Sequence, residues 1–256
     1  MNDQTAQERH RFISLRLKLL IGFTLVFSVV FAAAYYWFYD FATDMAFRRI
    51  EEDLRDTLTG FIEGIDGDEF VALALEAEPG ADGLPGDDPR YRRHQAWIGE
   101  VYRVEPRSIP YTFIKGQDPY EVLWIGDAFR IMRPADQTSF RESYVADPAN
   151  TQLYRGFTEV TVNMEPYVDA WGNWVSAYGP IKNSQGDVVG GAGIDFRANY
   201  VRDVQRAILN SMLGAFVITY TILFALVWLI SRALARPITS LTAAAERIGE
   251  GDYDQD

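Results

Sequence analysis

Two long stretches without a charged residue constrain this chain more than any other feature: Leu19–Tyr39, 21 residues, and Ala207–Ser231, 25 residues. At a rise of ~1.5 Å per residue they form helices of roughly 31 and 37 Å, enough to cross a hydrocarbon layer of ~30 Å. Tyr35, Tyr36, Trp37 and Tyr39 cluster where the first run would leave the bilayer, and Trp228 stands near the far end of the second. A soluble fold would have to hide both runs on every side, a heavy demand on the 167 residues between Asp40 and Arg206. Two membrane spans are therefore expected. The rival is a cleaved signal peptide, with Arg9, Arg11, Arg16 and Lys18 as its basic flank and Ala32-Ala33-Ala34 as its small-residue site. Against it, the apolar run continues through large aromatic residues and passes without a break into helical periodicity.

Charge divides the chain the same way. The net charge is −12, and the block from Asp40 to Arg206 holds 29 acidic against 17 basic residues, the whole excess. Such a block repels nucleic-acid phosphates, so no nucleic-acid partner is expected. Basic residues near the spans are almost evenly divided, but the first span has four before it and two after. First spans usually dominate, which places both termini in the cytoplasm and the acidic block outside. The chain has no cysteine and two histidines, His10 and His94, which argues against disulfides, thiolate or imidazole metal sites, and nucleophilic triads.

After Tyr39, Phe47, Ile50, Leu54, Leu58, Phe61 and Ile65 recur at helical spacing, so the first membrane helix is expected to run straight on into a stalk helix. A short helix over 69–77 with Asp68 as its cap follows, then a Pro/Gly-rich loop over 78–89 and a helix over 90–104. From Ile109 the pattern turns to strands. Residues 109–115 and 120–126 read as one hairpin, and 174–181 and 188–196 as another, with Gly186 free to take positive φ in its turn. Between them, 133–150 reads as irregular or partly helical and 156–161 as a further strand. Helices followed by antiparallel strands define an α+β domain.

The segment Asp169-Ala-Trp-Gly-Asn-Trp-Val-Ser-Ala-Tyr-Gly-Pro-Ile-Lys-Asn-Ser-Gln-Gly-Asp-Val-Val-Gly-Gly-Ala-Gly-Ile-Asp195 resembles the late strand–turn–strand portion of extracytoplasmic Cache sensor domains, the PAS-like modules of bacterial receptors. Ile65-Asp-Gly-Asp68 and Tyr111-Thr-Phe-Ile are similar to other parts of that group. The resemblance covers roughly 40–205. It implies a long N-terminal helix, a central antiparallel sheet of about five strands, and a ligand pocket on one face of the sheet. Past the second span, Arg236-Pro237-Ile238 and the stretch through Ala245, Ile248, Gly249, Gly251 and Asp252 resemble the start of a HAMP domain. Pro237 suits the first turn of a new helix, and Ile238, Leu241, Ala245 and Ile248 are spaced as a coiled-coil seam. A homodimer is implied.

Little catalytic chemistry is on offer. Asp66-Gly-Asp-Glu-Phe has the letters of a cyclase signature but follows a membrane span and a stalk instead of a cyclase domain. The acidic clusters at 66–69 and 82–88 lack calcium-loop spacing and read as solvated surface. Candidate ligand contacts are polar groups set among aromatics on the expected sheet: Tyr111, Trp124, Asp127, Trp171, Trp174, Tyr178 and Asp195. Asp195, between Ile194 and Phe196, is a carboxylate on an apolar strand, which is costly unless it is paired. In some Cache domains an acid near this place grips a ligand amine. The alternative makes Asp195 a strand-end hydrogen-bonding group and the aromatics plain core.

The sequence thus divides into a cytoplasmic tail (1–18), a first span (19–39), an outer Cache-like domain (40–206), a second span (207–231) and the start of a HAMP linker (232–256). The expected function is the input half of a bacterial inner-membrane receptor of the histidine kinase or nucleotide cyclase type. Its expected partners are a small molecule, the lipid bilayer and a second copy, with neither cofactor nor catalytic site in this segment. A chemoreceptor input module, a membrane-anchored binding protein that passes nothing inward, and a tethered enzyme are the alternatives.

Overall fold

The computed structural model describes residues 15–146 and 151–249. The tail residues Arg9 and Arg11, and Gly251 and Asp252 of the HAMP-like stretch, lie outside the described residues. The chain divides into two compact units, 44–205 and 1–43 with 206–256.

The second of these units holds parts of two long helices. Helix α1 is Leu15–Glu63 and α6 is Ala198–Gly249; both are long and apolar enough to cross a membrane, and their most apolar windows are 0% and 6% buried. That exposure separates them from the core helices of a soluble globule, whose apolar faces are covered. Two contacts join polar side chains of the two runs. Ser28 Oγ lies 2.7 Å from the Tyr220 hydroxyl, and the Tyr35 hydroxyl donates to Thr219 Oγ1 at 3.2 Å. In a hydrocarbon layer such groups would have no water to turn to, and pairing of this kind would be favoured. The new helix expected at Pro237 does not form separately: Pro237 falls inside α6. Its flanks, Leu234-Ala235-Arg236 and Leu241 to Arg247, are mostly good helix formers that carry the helix past one missing N–H.

In unit 44–205 the apolar stripe of α1 behaves as its spacing requires. Ile50, Leu54, Leu58 and Phe61 are buried, with Phe47 and Ile65 partly so. Helix α2 (Gly67–Glu76) is capped by Asp66, which accepts from the Asp68 and Glu69 amides at 3.0 Å each, two residues earlier than the expected Asp68 cap. Helix α3 (Pro89–Val104) begins with proline at its first position and Asp88 as cap.

The strands are β1 (Ser108–Lys115), β2 (Glu121–Asp127), β3 (Ser143–Val145), β4 (Thr161–Val168), β5 (Asn173–Lys182) and β6 (Val188–Arg197). They form one antiparallel sheet in the order β3-β2-β1-β6-β5-β4. This is the α+β stalk-and-sheet architecture expected, with six strands instead of about five; β3 comes from the stretch read as irregular, which also supplies α4 (Phe129–Met132) and a 3-10 turn at Pro134–Asp136. The strand expected over 156–161 lies instead at β4. Pro166 hid it, and is accommodated because β4 is an edge strand with a bulge between Asn163 and Tyr167. A short helix α5 (Thr151–Arg155) precedes it. Gly186 takes φ +88 in the β5–β6 turn, as its position there demands.

Because side chains alternate across a strand, β5 and β6 present different residues to their two sides. Val175, Ala177 and Ile181 of β5 and Ala192, Ile194 and Phe196 of β6 pack with the α1 stripe and with Phe70 and Leu73 of α2. Trp174, Ser176, Tyr178 and Asp195 occupy the alternate positions.

Candidate ligand site

The site grows from Asp195 outwards. In the sheet, Asp195 is opposite Ser176 on β5, and Gly193, two residues earlier on the same side, is opposite Tyr111 on β1. A β-carbon at Gly193 would collide with the Tyr111 ring. Glycine there lets that ring lie across β6 and donate its hydroxyl to Asp195 Oδ1 at 2.9 Å. Ser176 Oγ donates to the same oxygen at 2.5 Å. With the Ser176 proton so committed, Tyr167 of β4 donates to Ser176 Oγ and Tyr178 to the Tyr167 hydroxyl, each at 3.0 Å. A chain of hydroxyls thus ends on the buried carboxylate, each donor polarising the next.

Both hydrogen bonds to Asp195 fall on Oδ1; Oδ2 has no partner among the described residues. Asp195 is 7% exposed. Burial pushes its carboxyl up to about 7; the Ser176 and Tyr111 hydrogen bonds oppose the rise and the charge of Asp169 adds to it. Burial, followed by the nearby Asp195 charge, raises the Tyr111 and Tyr167 hydroxyls as well, so they remain donors.

Asp195 lines a cavity of about 30 Å³. Its walls include Tyr111, Trp124, Tyr144, Tyr167 and Trp171, with Asp127 and Asp169. None of the described residues lining it is Lys or Arg. Trp124 meets Tyr111 edge to face at 5.3 Å, and Trp171 meets Trp124 at 6.0 Å and Tyr144 at 5.7 Å. Two loops close over this aromatic wall. Asp127 accepts from the Arg130 amide at 3.2 Å, the Thr138 amide at 3.0 Å and the Thr138 hydroxyl, pinning the segment after β2. Asp169 Oδ1 accepts from the Trp171 and Gly172 amides and from Trp174 Nε1 at 2.8–2.9 Å, holding the turn before β5. Trp171 Nε1 then donates to the Asp136 carbonyl at 3.2 Å, clasping one loop to the other. The free space is about that of a single water, so a larger guest fits only if the clasp moves.

Of the seven residues singled out in the sequence, five meet at this cavity: Tyr111, Trp124, Asp127, Trp171 and Asp195. Asp127 is the loop anchor just described. Trp174 and Tyr178 stand behind the wall. Trp174 is 2% exposed, bonded to Asp169 and packed 6.3 Å from Phe129, and Tyr178 is fully buried at the head of the hydroxyl chain. Sequence reasoning passed over Tyr144, Tyr167, Ser176 and Asp169. Asp169 had a readable signal, an acidic residue two and three positions before Trp171 and Gly172, the spacing of an Asx turn.

Elsewhere in the same unit, Arg107 gathers several elements. Its guanidinium bonds Glu105 at 2.7 Å, Tyr200 of α6 at 2.7 Å and Asp53 of α1 at 3.3 Å, and lies 5.4 Å from the Phe196 ring, next in sequence to Asp195.

Residues 229–256 match the HAMP domain family. No curated protein sequence matches the chain. Similar solved structures include the ligand-binding domain of the Campylobacter jejuni chemoreceptor Tlp3 in complex with 4-methylisoleucine, 11% identical, covering 78% of this chain and 66% of that one at a TM-score of 0.38. Another is the extracellular domain of soHK1S-Z6, described as a histidine kinase, 11% identical, covering 70% of this chain and 66% of that one at 0.43. A third is the ligand-binding domain of the Pseudomonas aeruginosa amino acid chemoreceptor PctC in complex with GABA, 13% identical, covering 64% and 60% at 0.33. The chain thus spans about two thirds or less of the length of these structures, and no residue role is taken from them. What the comparisons place on this chain is a HAMP segment at its C-terminal end, following a domain whose structural neighbours are receptor sensor domains.

Proposed function

We propose that the chain is the input portion of a transmembrane receptor whose outer domain, residues 40–206, binds a small organic cation. The segments 19–39 and 207–231 cross the bilayer, both termini lie in the cytoplasm, and 232–256 begins the HAMP unit that carries the signal inward in a homodimer. It acts by binding and transmission; no catalysis is assigned to it.

The observation that carries the ligand class is the lining of the cavity: aromatic faces, the free Oδ2 of a buried Asp195, Asp169 beside it, and no basic side chain. An ammonium group satisfies such a cage by direct pairing with the carboxylates and by attraction to the ring faces. An anion would be buried against like charge. Transmission is supported by the HAMP match and by Arg107, which ties the end of β6 to both α1 and α6, so a shift of the strand that grips the ligand is felt by the two helices that leave the domain. Such a switch responds only as far as the ligand prefers one arrangement, ~1.4 kcal/mol for each tenfold preference.

Calorimetry on the full chain in lipid nanodiscs, titrated with small primary amines and with carboxylates of matching size, tests this reading. Amines are expected to bind and Asp195→Asn to abolish the binding. Carboxylates binding while amines do not would refute it.

A further inference from the structure

The cage contains one donor that the ammonium reading does not use. Trp124 is 7% exposed and lines the cavity, and its Nε1–H is buried without an acceptor among the described residues. Its neighbours in the wall are committed: the Tyr111 hydroxyl to Asp195, the Tyr167 hydroxyl to Ser176, the Trp171 indole to the Asp136 carbonyl, and the Thr138 hydroxyl to Asp127. A buried N–H left over in a wall otherwise this well satisfied is rare in folded proteins, and an indole N–H can only donate.

We propose that Trp124 Nε1–H reads a neutral acceptor oxygen on the ligand, so that the cavity selects amino alcohols and amino carbonyl compounds over simple amines and over amino acids. The proposal rests on the ammonium reading above and adds a second pole to it. The acceptor must be uncharged because Asp127, Asp169 and Asp195 line the same space and none of the described lining residues is Lys or Arg; a carboxylate placed there would be set among three others. A hydroxyl, ether or carbonyl oxygen accepts the indole proton without that cost. Trp124 is held for this task by ring contacts, edge to face with Tyr111 and Phe113 at 5.3 and 5.9 Å, which fix the indole plane from one side.

Three probes of nearly equal size separate the possibilities: ethylamine with no acceptor, ethanolamine with a neutral one, and glycine with an anionic one. Titrated into the full chain in nanodiscs, ethanolamine is expected to bind roughly tenfold more tightly than ethylamine, the worth of one well-formed hydrogen bond, and glycine most weakly. Trp124→Phe keeps an aromatic ring and removes the donor. It is expected to bring the ethanolamine-to-ethylamine affinity ratio from roughly tenfold to about one, whatever ring attraction the two probes lose in common. Should that variant fold poorly, the wild-type protein still decides: the Trp124 indole proton resonance, assigned through its contacts with the Tyr111 and Phe113 rings, moves downfield with ethanolamine and stays put with ethylamine. Equal affinities for ethylamine and ethanolamine, an equal loss of both in Trp124→Phe, or glycine binding as tightly as ethanolamine would overturn the role of Trp124 and leave the ammonium reading standing. Failure of every amine to bind, or binding indifferent to Asp195→Asn, would overturn both.

Discussion

The two faces of β5 and β6 are built from alternate residues of the same strands, yet they obey different rules. Towards the stalk, Val175, Ala177, Ile181, Ala192, Ile194 and Phe196 are apolar and interlock with Leu54, Leu58 and Phe61 of α1. Towards the cavity, Ser176, Tyr178 and Asp195 build a hydrogen-bonded chain around an ionisable group. One face stabilises the fold and the other accepts a cost to it. Each face also buries a group whose titration tests it, and the two have opposite dependence on pH. On the stalk side, His94 Nε2 is 2.7 Å from Thr112 Oγ1, and burial holds the imidazole down at about 4. On the cavity side, burial holds the Asp195 carboxyl up at about 7.

The largest effect that would sharpen this contrast is Asp195→Asn. Binding of an ammonium probe should fall by roughly 100-fold or more, the cost of losing a buried charge partner. Stability should move the other way. An ordinary aspartate ionises near 3.8, so between there and about 7 the unfolded chain releases a proton that the folded chain retains. Stability is therefore lost as pH rises through that window, and above it the cost is complete, about 4 kcal/mol. Urea unfolding at pH 8 should show the variant more stable than wild type by up to that amount, with the gain vanishing near pH 4.

Leu58→Ala should do the reverse. Leu58 is fully buried against the sheet, and its truncation should cost roughly 3–4 kcal/mol of stability while leaving amine affinity unchanged. A loss of affinity would mean that the faces are less separate than their packing implies. His94→Gln tests the other titration. A histidine held below its ordinary 6.5 keeps its contribution above that value and loses it as pH falls towards about 4. The variant should therefore gain on wild type only below pH 6.5, reaching about 3 kcal/mol near pH 4, the limb opposite to that of Asp195. The smallest effect is expected from Trp171→Ala, which opens the aromatic clasp. Amine affinity should drop by about 1–2 kcal/mol from lost ring contact, with faster association measured by stopped-flow fluorescence.

How much of this the sequence disclosed follows the same division. The stalk face was legible because the spacing of Ile50, Leu54, Leu58 and Phe61 is a local rule that burial obeys. The two long apolar helices were legible from length and charge alone, and the second hairpin from Gly186 and its flanking strands. The cavity was half legible. Asp195 announced itself as an acid on an apolar strand, but its partners Tyr111 and Ser176, and Tyr167 behind Ser176, come from three other strands that only register brings together. The aromatics are not separable in the sequence, because residue type does not say which side of a wall a ring is on. Trp171 and Trp174 are three residues apart, yet one lines the cavity and the other stands behind it. Pro166 and the short β3 escaped notice because edge strands need neither regular alternation nor length.

The central claim is that a ligand ammonium replaces the proton on Asp195. Its most direct test is calorimetric titration of the full chain with ethanolamine at pH 6 in buffers of different ionisation enthalpy, which counts the protons exchanged on binding. Close to one proton released per ligand bound, declining to none by pH 8.5 and absent in Asp195→Asn, is the expected result. Binding with no proton release at pH 6, or release that persists in Asp195→Asn, would contradict it.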